Sequence, residues 1–188
     1  MTKIKPPILI VDDNEVDRYI LKRLIKEAKL DLTIFEKKDG QEALEFLENY
    51  ESNRIKYPDG FPPILIFLDI NMPKVNGIQF LEKFSKLRKM IEISSCVVMM
   101  FSSSEREEEK KIIMSHDFVK GYLVKGSFQA AELKEKVLAV IGQHLDKHSW
   151  LLGLKNSKLL LLTEPMCRRY ITVTFANLIV FYSYLVAS

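Results

Sequence analysis

The sequence predicts an α/β protein: a doubly wound, five-stranded parallel sheet followed by an apolar C-terminal extension. Three observations carry that prediction. Short, almost wholly apolar runs recur along the chain, among them Ile8–Val11, Ile64–Leu68 and Cys96–Phe101. Strands of that kind suit a sheet covered on both faces. The runs alternate with segments whose apolar residues recur at helical spacing. Finally, polar residues stand at or just beyond the carboxyl ends of the runs: Asp12, Asp13, Asp69, Ser102 and Lys125.

Each element has its own local signal. Ile8–Val11 is short and β-branched, and reads as the first strand. Glu15–Lys29 follows as a helix, with Val16, Tyr19, Ile20, Leu24 and Ala28 expected inward. Leu32–Phe35 is the second strand. Asp39–Gly40 makes a turn into a helix over Gln41–Tyr50 with Ala43, Leu44 and Leu47 inward. Residues 51–63 carry Pro58, Gly60, Pro62 and Pro63, and are expected to be an irregular connection. Ile64–Leu68 is the third strand, and Gly77–Met90 a helix with Ile78, Phe80, Leu81, Phe84 and Leu87. Cys96–Phe101 is the fourth strand, and Glu105–Ser115 a charged helix that Ser103 or Ser104 is expected to cap. Lys120–Val124 is the fifth strand. The last helix runs from Phe128 to about Leu145, with Leu133, Val137, Leu138 and Ile141 facing the core.

Charge separates the chain into two parts. Residues 1–148 hold 24 basic and 24 acidic side chains, whereas residues 149–188 hold four basic residues and Glu164. The net charge of +3 therefore falls entirely in the extension. A balanced main domain gives no electrostatic support for nucleic-acid binding. Cys96 and Cys167 match no metal or redox spacing, and a reduced, cytoplasmic setting is expected. The N-terminus does not read as a secretory signal.

In a parallel sheet the five polar residues meet at one edge, where ligands of such sheets bind. Asp12 and Asp13 are adjacent acids that repel each other unless a cation lies between them. Mg2+ suits them, because it prefers carboxylate oxygens, phosphate oxygens and water. Either acid alone would read as a helix cap. Asp69 ends the most apolar strand, and a carboxylate there can attack phosphorus and form an acyl phosphate. The hydroxyl of Ser102 can donate to a phosphoryl oxygen, and Lys125 supplies a point charge for carboxylate or phosphate.

These residues resemble the receiver domains of two-component response regulators, over roughly residues 6–146. The resemblance implies a flavodoxin-like (βα)5 fold. It implies Mg2+ bound by Asp12, Asp13, Asp69 and the backbone carbonyl of Asn71, with Asp69 as the phosphoacceptor. Ser102 and Lys125 would contact the phosphoryl group, and Asp69 and Lys125 would carry the chemistry. Tyr122 matches the aromatic that changes rotamer on activation, and the segment Asp69–Gly77 is close to the family's turn. The long 51–63 connection resembles small stand-alone receivers that work beside phytochrome-type or hybrid kinases. One departure is Gly126, where the family usually has a proline after the lysine.

The implied partner is a sensor histidine kinase or phosphotransfer protein. A downstream protein would read the face built from the Glu105–Ser115 helix, the fifth strand and the last helix. A second copy of the chain is a further candidate partner. The extension stays open among several readings. Residues 170–188 carry no charge and follow Arg168 and Arg169, as in a membrane anchor at the lower length limit for a bilayer core of about 30 Å. Tyr170–Phe175 alternates like a strand, and Trp150–Leu154 suits an interface. The extension could equally pack on the main domain or lack a role. Two rival functions compete: a phosphorylation-independent scaffold with the same fold, and a metal-dependent phosphohydrolase. The latter class usually has an acid two residues after its nucleophile, where this chain has Asn71.

Overall fold

A computed structural model describes residues 5–149 apart from Asp59, Glu92, Ser94 and Glu105, with side chains through residue 142. The readings made for Trp150–Leu154, Cys167, Arg168, Arg169 and residues 170–188 lie outside the described residues. Among the described residues, no helix is long and apolar enough to cross a membrane.

Five parallel strands form one sheet in the order β2-β1-β3-β4-β5. They are β1 (Pro7–Val11), β2 (Thr33–Lys37), β3 (Leu65–Leu68), β4 (Val97–Ser102) and β5 (Val119–Val124). The helices are α1 (Glu15–Glu27), α2 (Gly40–Glu48), α3 (Tyr50–Lys56), α4 (Gly77–Met90), α5 (Glu107–Met114) and α6 (Ala130–Ser149). This is the doubly wound fold that the alternation predicts.

Strand side chains alternate between two cores, as a period of two requires. Leu9, Val11, Ile66, Leu68, Val98 and Met100 pack on one face with α2, α4 and Ile113 of α5. Ile8, Ile10, Leu65, Phe67, Met99 and Phe101 pack on the other with α1 and α6. All of these strand residues are at most 2% exposed, which explains why the runs are almost unbroken in hydrophobicity. Along β4 and β5 the pairing slips between Val98 and Met99: Val98 faces Val119, but Met99 faces Gly121.

Several expectations need correction. Residues 51–63 are not irregular throughout, because Tyr50–Lys56 forms α3. The Pro and Gly residues of that segment all follow it. Tyr50 and Tyr57 at its two ends pack on the core, and Asn53 Nδ2 donates to the Phe46 carbonyl at 2.6 Å. The buried face of α1 is Arg18, Leu21 and Ile25, whereas Val16 and Tyr19 are about three-fifths exposed, at 61% and 62%. An arginine occupies that face because Nη1 donates to the Asp12 carbonyl at 2.6 Å and Nε lies 3.4 Å from Glu36. In α6, Leu138 is exposed, and Val140 and Ile141 are buried beside Leu133 and Val137. Ile112 and Met114 of α5 are likewise half exposed, leaving Ile113 as its buried residue. Neither Ser103 nor Ser104 is the N-cap of α5. Arg106 holds that position, and Ser104 Oγ instead donates to Glu109 Oε2 at 2.5 Å.

The loop that follows β3 is tied to the start of α2. Asp39 caps that helix by accepting from the Glu42 N–H at 2.9 Å, and it pairs with Lys74 at 2.8 Å. Burial pushes the Asp39 carboxyl up, but Lys74 and the capping N–H groups outweigh it and hold it below its ordinary 3.8. Its stabilisation is therefore present above that value and lost as pH falls through the lower folded value. Asp39→Ala is expected to cost about 1 kcal/mol at neutral pH, mostly the cap, since Lys74 is well exposed. Urea unfolding at neutral and strongly acidic pH checks this; the gap from the native chain should narrow in acid, where a protonated Asp39 keeps an acceptor oxygen but loses its charge.

Candidate functional site

The site forms where β1, β3, β4 and β5 end. Asp12 follows β1 and is fully buried, and its N–H donates to the Lys37 carbonyl at 3.1 Å. Its Oδ1 accepts from the Asn14 N–H at 2.9 Å. Asp69 follows β3, is 4% exposed, and is held by its N–H to the Val11 carbonyl at 2.9 Å. Asp13 is exposed beside them. Carboxylate oxygens of Asp12, Asp13 and Asp69 all lie within 4.8 Å of one another.

Lys125 stands just beyond β5, its N–H donating to the Ser102 carbonyl at 3.1 Å. Its Nζ lies 2.8 Å from Asp12 Oδ2, 2.9 Å from Asp17 Oδ2 and 3.3 Å from Asp69 Oδ2. Gly126 follows with φ +78°, and the Lys125–Gly126 peptide is not cis. Ser102 is the last residue of β4 and fully buried; its Oγ accepts from the Ser104 N–H at 3.4 Å. The Tyr122 hydroxyl donates to the Ser104 carbonyl. Asn71 is exposed, two residues after Asp69. The fold thus draws Asp12, Asp13, Asp69 and Lys125 into one cluster and places Ser102 at the same sheet edge.

The electrostatics follow from three carboxylates, Asp12, Asp17 and Asp69, around one ammonium. Burial pushes Asp12 above its ordinary value, opposed by Lys125 and the Asn14 N–H and reinforced by Asp69. Burial pulls Lys125 down, but its close contact with Asp12, its hydrogen bond to Asp17 and the charge of Asp69 leave it raised. Lys125 is therefore a firm cation at neutral pH. Two buried oxygens still lack hydrogen-bond donors: Asp69 Oδ1, and Asp12 Oδ2, which is close to Lys125 but out of alignment with it. Buried acceptors of that kind are costly to leave unmatched. A hard divalent cation matches such a donor set, and the exposed Asp13 leaves room for the water that Mg2+ keeps.

Residues 8–138, well over half of the chain, match the family model of the response regulator receiver domain. The chain belongs to that family. Over 82 residues this receiver is 35% identical to the sensor histidine kinase CheAY of Helicobacter pylori, a stretch covering 44% of this chain and 9% of that protein. The chain matches only 9%, 27% and 22% of three such curated relatives. A two-component response regulator of Cytophaga hutchinsonii has the same fold, with TM-score 0.61 and 22% identity over 74% of this chain and 99% of that one. So does the receiver domain of the histidine kinase CKI1 of Arabidopsis thaliana, solved with Mg2+ and BeF3-, with TM-score 0.59 and 19% identity over 73% of this chain and 90% of that one. The chain is a receiver of the two-component kind, related to those of histidine kinases and response regulators.

Three residues near the site were not singled out from the sequence. Asp17 reads as an acid favourable to the first turn of a helix, Arg18 as a surface residue, and Lys74 as a loop residue. Periodicity cannot reveal an ion pair between residues 17 and 125. The buried Cys96, its thiol pushed up to about 12 by burial, has no part in the site.

Proposed function

We propose that residues 1–148 act as a phosphoacceptor receiver whose phosphorylated residue is Asp69, with residues 149–188 a separate extension. The observation that carries this reading is the donor-poor Asp69 Oδ1, buried beside Asp12, Asp13 and the Lys125 ammonium. In the forward reaction Asp69 attacks the phosphorus of a phosphohistidine on a histidine kinase or phosphotransfer protein. The P–N bond breaks as the P–O bond forms, and the imidazole leaves with the electron pair and takes up a proton. Bound Mg2+, held by Asp12, Asp13, Asp69 and the Asn71 carbonyl, would offset the charge that gathers on the phosphoryl oxygens. Lys125 pairs with a phosphoryl oxygen, and the Ser102 hydroxyl donates to another. Movement of Ser102 then shifts Ser104 and Tyr122, which are already hydrogen-bonded to each other. The α5–β5–α6 face changes with them and is the surface a downstream protein reads.

Full-length protein is incubated with acetyl phosphate and Mg2+, and its intact mass measured. The native chain is expected to gain one phosphoryl group, and to gain none without Mg2+. Asp69→Asn is expected to gain none. An Asp69→Asn chain labelled as readily as the native one would refute Asp69 as acceptor. A folded native chain that gains nothing would instead favour a phosphorylation-independent scaffold.

A further inference from the structure

Lys125 has one more partner than the phosphoacceptor reading requires. An ammonium carries three N–H donors and no acceptor. Here three carboxylates share it: Asp12 at 2.8 Å, Asp17 at 2.9 Å and Asp69 at 3.3 Å. The contact to Asp69 is thus the longest of the three, and the 2.9 Å contact to Asp17 is a formed hydrogen bond. Asp17 belongs to the first turn of α1 rather than to a strand end, and it stands outside the Asp12–Asp13–Asp69 trio. Its side chain is 24% exposed, whereas that of Asp12 is fully buried.

On Asp69 a phosphoryl group would add oxygens that also need Lys125. One existing contact must then weaken. The Asp12 side chain has no exposed surface, so water cannot easily replace Lys125 there. Asp17 has solvent at hand, so it can give up Lys125 at the least cost. While it holds on, it draws the ammonium away from the phosphoryl oxygens and adds a negative charge nearby.

Resting on the phosphoacceptor reading above, we propose that Asp17 is a positioning residue that competes with the phosphoryl group for Lys125 and so shortens the life of the acyl phosphate. The decay itself is hydrolysis. A water oxygen bonds to phosphorus, the P–O bond to Asp69 breaks, and the carboxylate leaves with the electron pair. Inorganic phosphate and a proton are the other products. Asp17 takes no part in these bonds; it sets how firmly Lys125 grips the phosphoryl group.

The test follows loss of the phosphoryl group by intact mass after donor is removed, on full-length native, Asp17→Asn and Asp17→Glu chains with Mg2+. Asp17→Asn is expected to slow decay about threefold, the size of a part-exposed ion pair. Asp17→Glu, which keeps the carboxylate, should decay at about the native rate. Urea unfolding of the single and double variants of Asp17→Asn and Lys125→Ala should show that the two changes are not additive. Native labelling with unchanged or faster decay in Asp17→Asn overturns this inference alone, as does strict additivity or an Asp17→Glu chain as slow as Asp17→Asn. A native chain that takes no phosphoryl group overturns both this inference and the reading beneath it.

Discussion

Gly77→Ala should destabilise the protein by about 3 kcal/mol, the upper range for forced overpacking, and should cut phosphoryl uptake at Asp69 sharply. Gly77 opens α4, and its N–H donates to the Ile70 carbonyl at 2.9 Å. A Cβ there would lie 2.4 Å from the Asp69 carbonyl oxygen and 2.8 Å from Ile70 Cα. Both are backbone atoms, so no side-chain rotation relieves the clash. The turn itself must move, and with it the residue proposed to carry the phosphoryl group. Gly142→Ala is the matched control, because nothing lies within 4 Å of a Cβ built there. In the interior of α6 the same change should stabilise by up to about 1 kcal/mol. Urea unfolding and the acetyl phosphate assay read both variants. Equal effects would show that close approach at Gly77 does not matter.

The second large effect concerns Asp12. In buffer with a chelator at neutral pH, Asp12→Asn is expected to be more stable than the native chain by about 1 kcal/mol, or roughly 3 °C in a protein of this size. Burial raises Asp12 above its ordinary 3.8 despite Lys125 and the Asn14 N–H. A carboxyl raised in the fold binds its proton more tightly there than in the unfolded chain. Stability then falls as pH rises from below 3.8 through the higher folded value. At neutral pH the charge is a net cost, and an amide removes it while keeping an oxygen for Asn14. Lys125 still has Asp17 and Asp69. Adding Mg2+ should raise the melting temperature of the native chain by linkage and do much less for Asp12→Asn. A variant that melts below the native chain without Mg2+ would refute the assignment of Asp12 as a strained carboxylate awaiting a cation.

The sheet was legible in the sequence because its strands are buried on both faces. Ile8–Val11 and Ile64–Leu68 admit no other easy reading when helices flank them. The edge residues were legible for a related reason: Asp12, Asp69 and Ser102 interrupt hydrophobic runs where the chain leaves the core. What escaped has a physical pattern too. Arg18 faces inward because a carbonyl and Glu36 satisfy its guanidinium, so a search for apolar residues at helical spacing turned α1 toward Val16 and Tyr19. The helix α3 escaped because the Pro and Gly residues at 58–63 made the whole of 51–63 look irregular, although residues 51–56 contain neither. The Asp17–Lys125 pair spans 108 positions and has no local trace.

The slip between β4 and β5 has a consequence for how the chain tolerates change in length. Val119 and Tyr122 are three positions apart, so an unbroken strand would send them to opposite faces, yet both join the same core. The additional residue in β5 restores the phase. Everything after it, including Leu123 against Phe101 and Lys125 at the edge, inherits that correction. Point changes at the solvent-facing Lys120 are therefore cheap, but removing a single residue there would be a frameshift in space. Val119 could keep its seat only if Tyr122 and Lys125 gave up theirs.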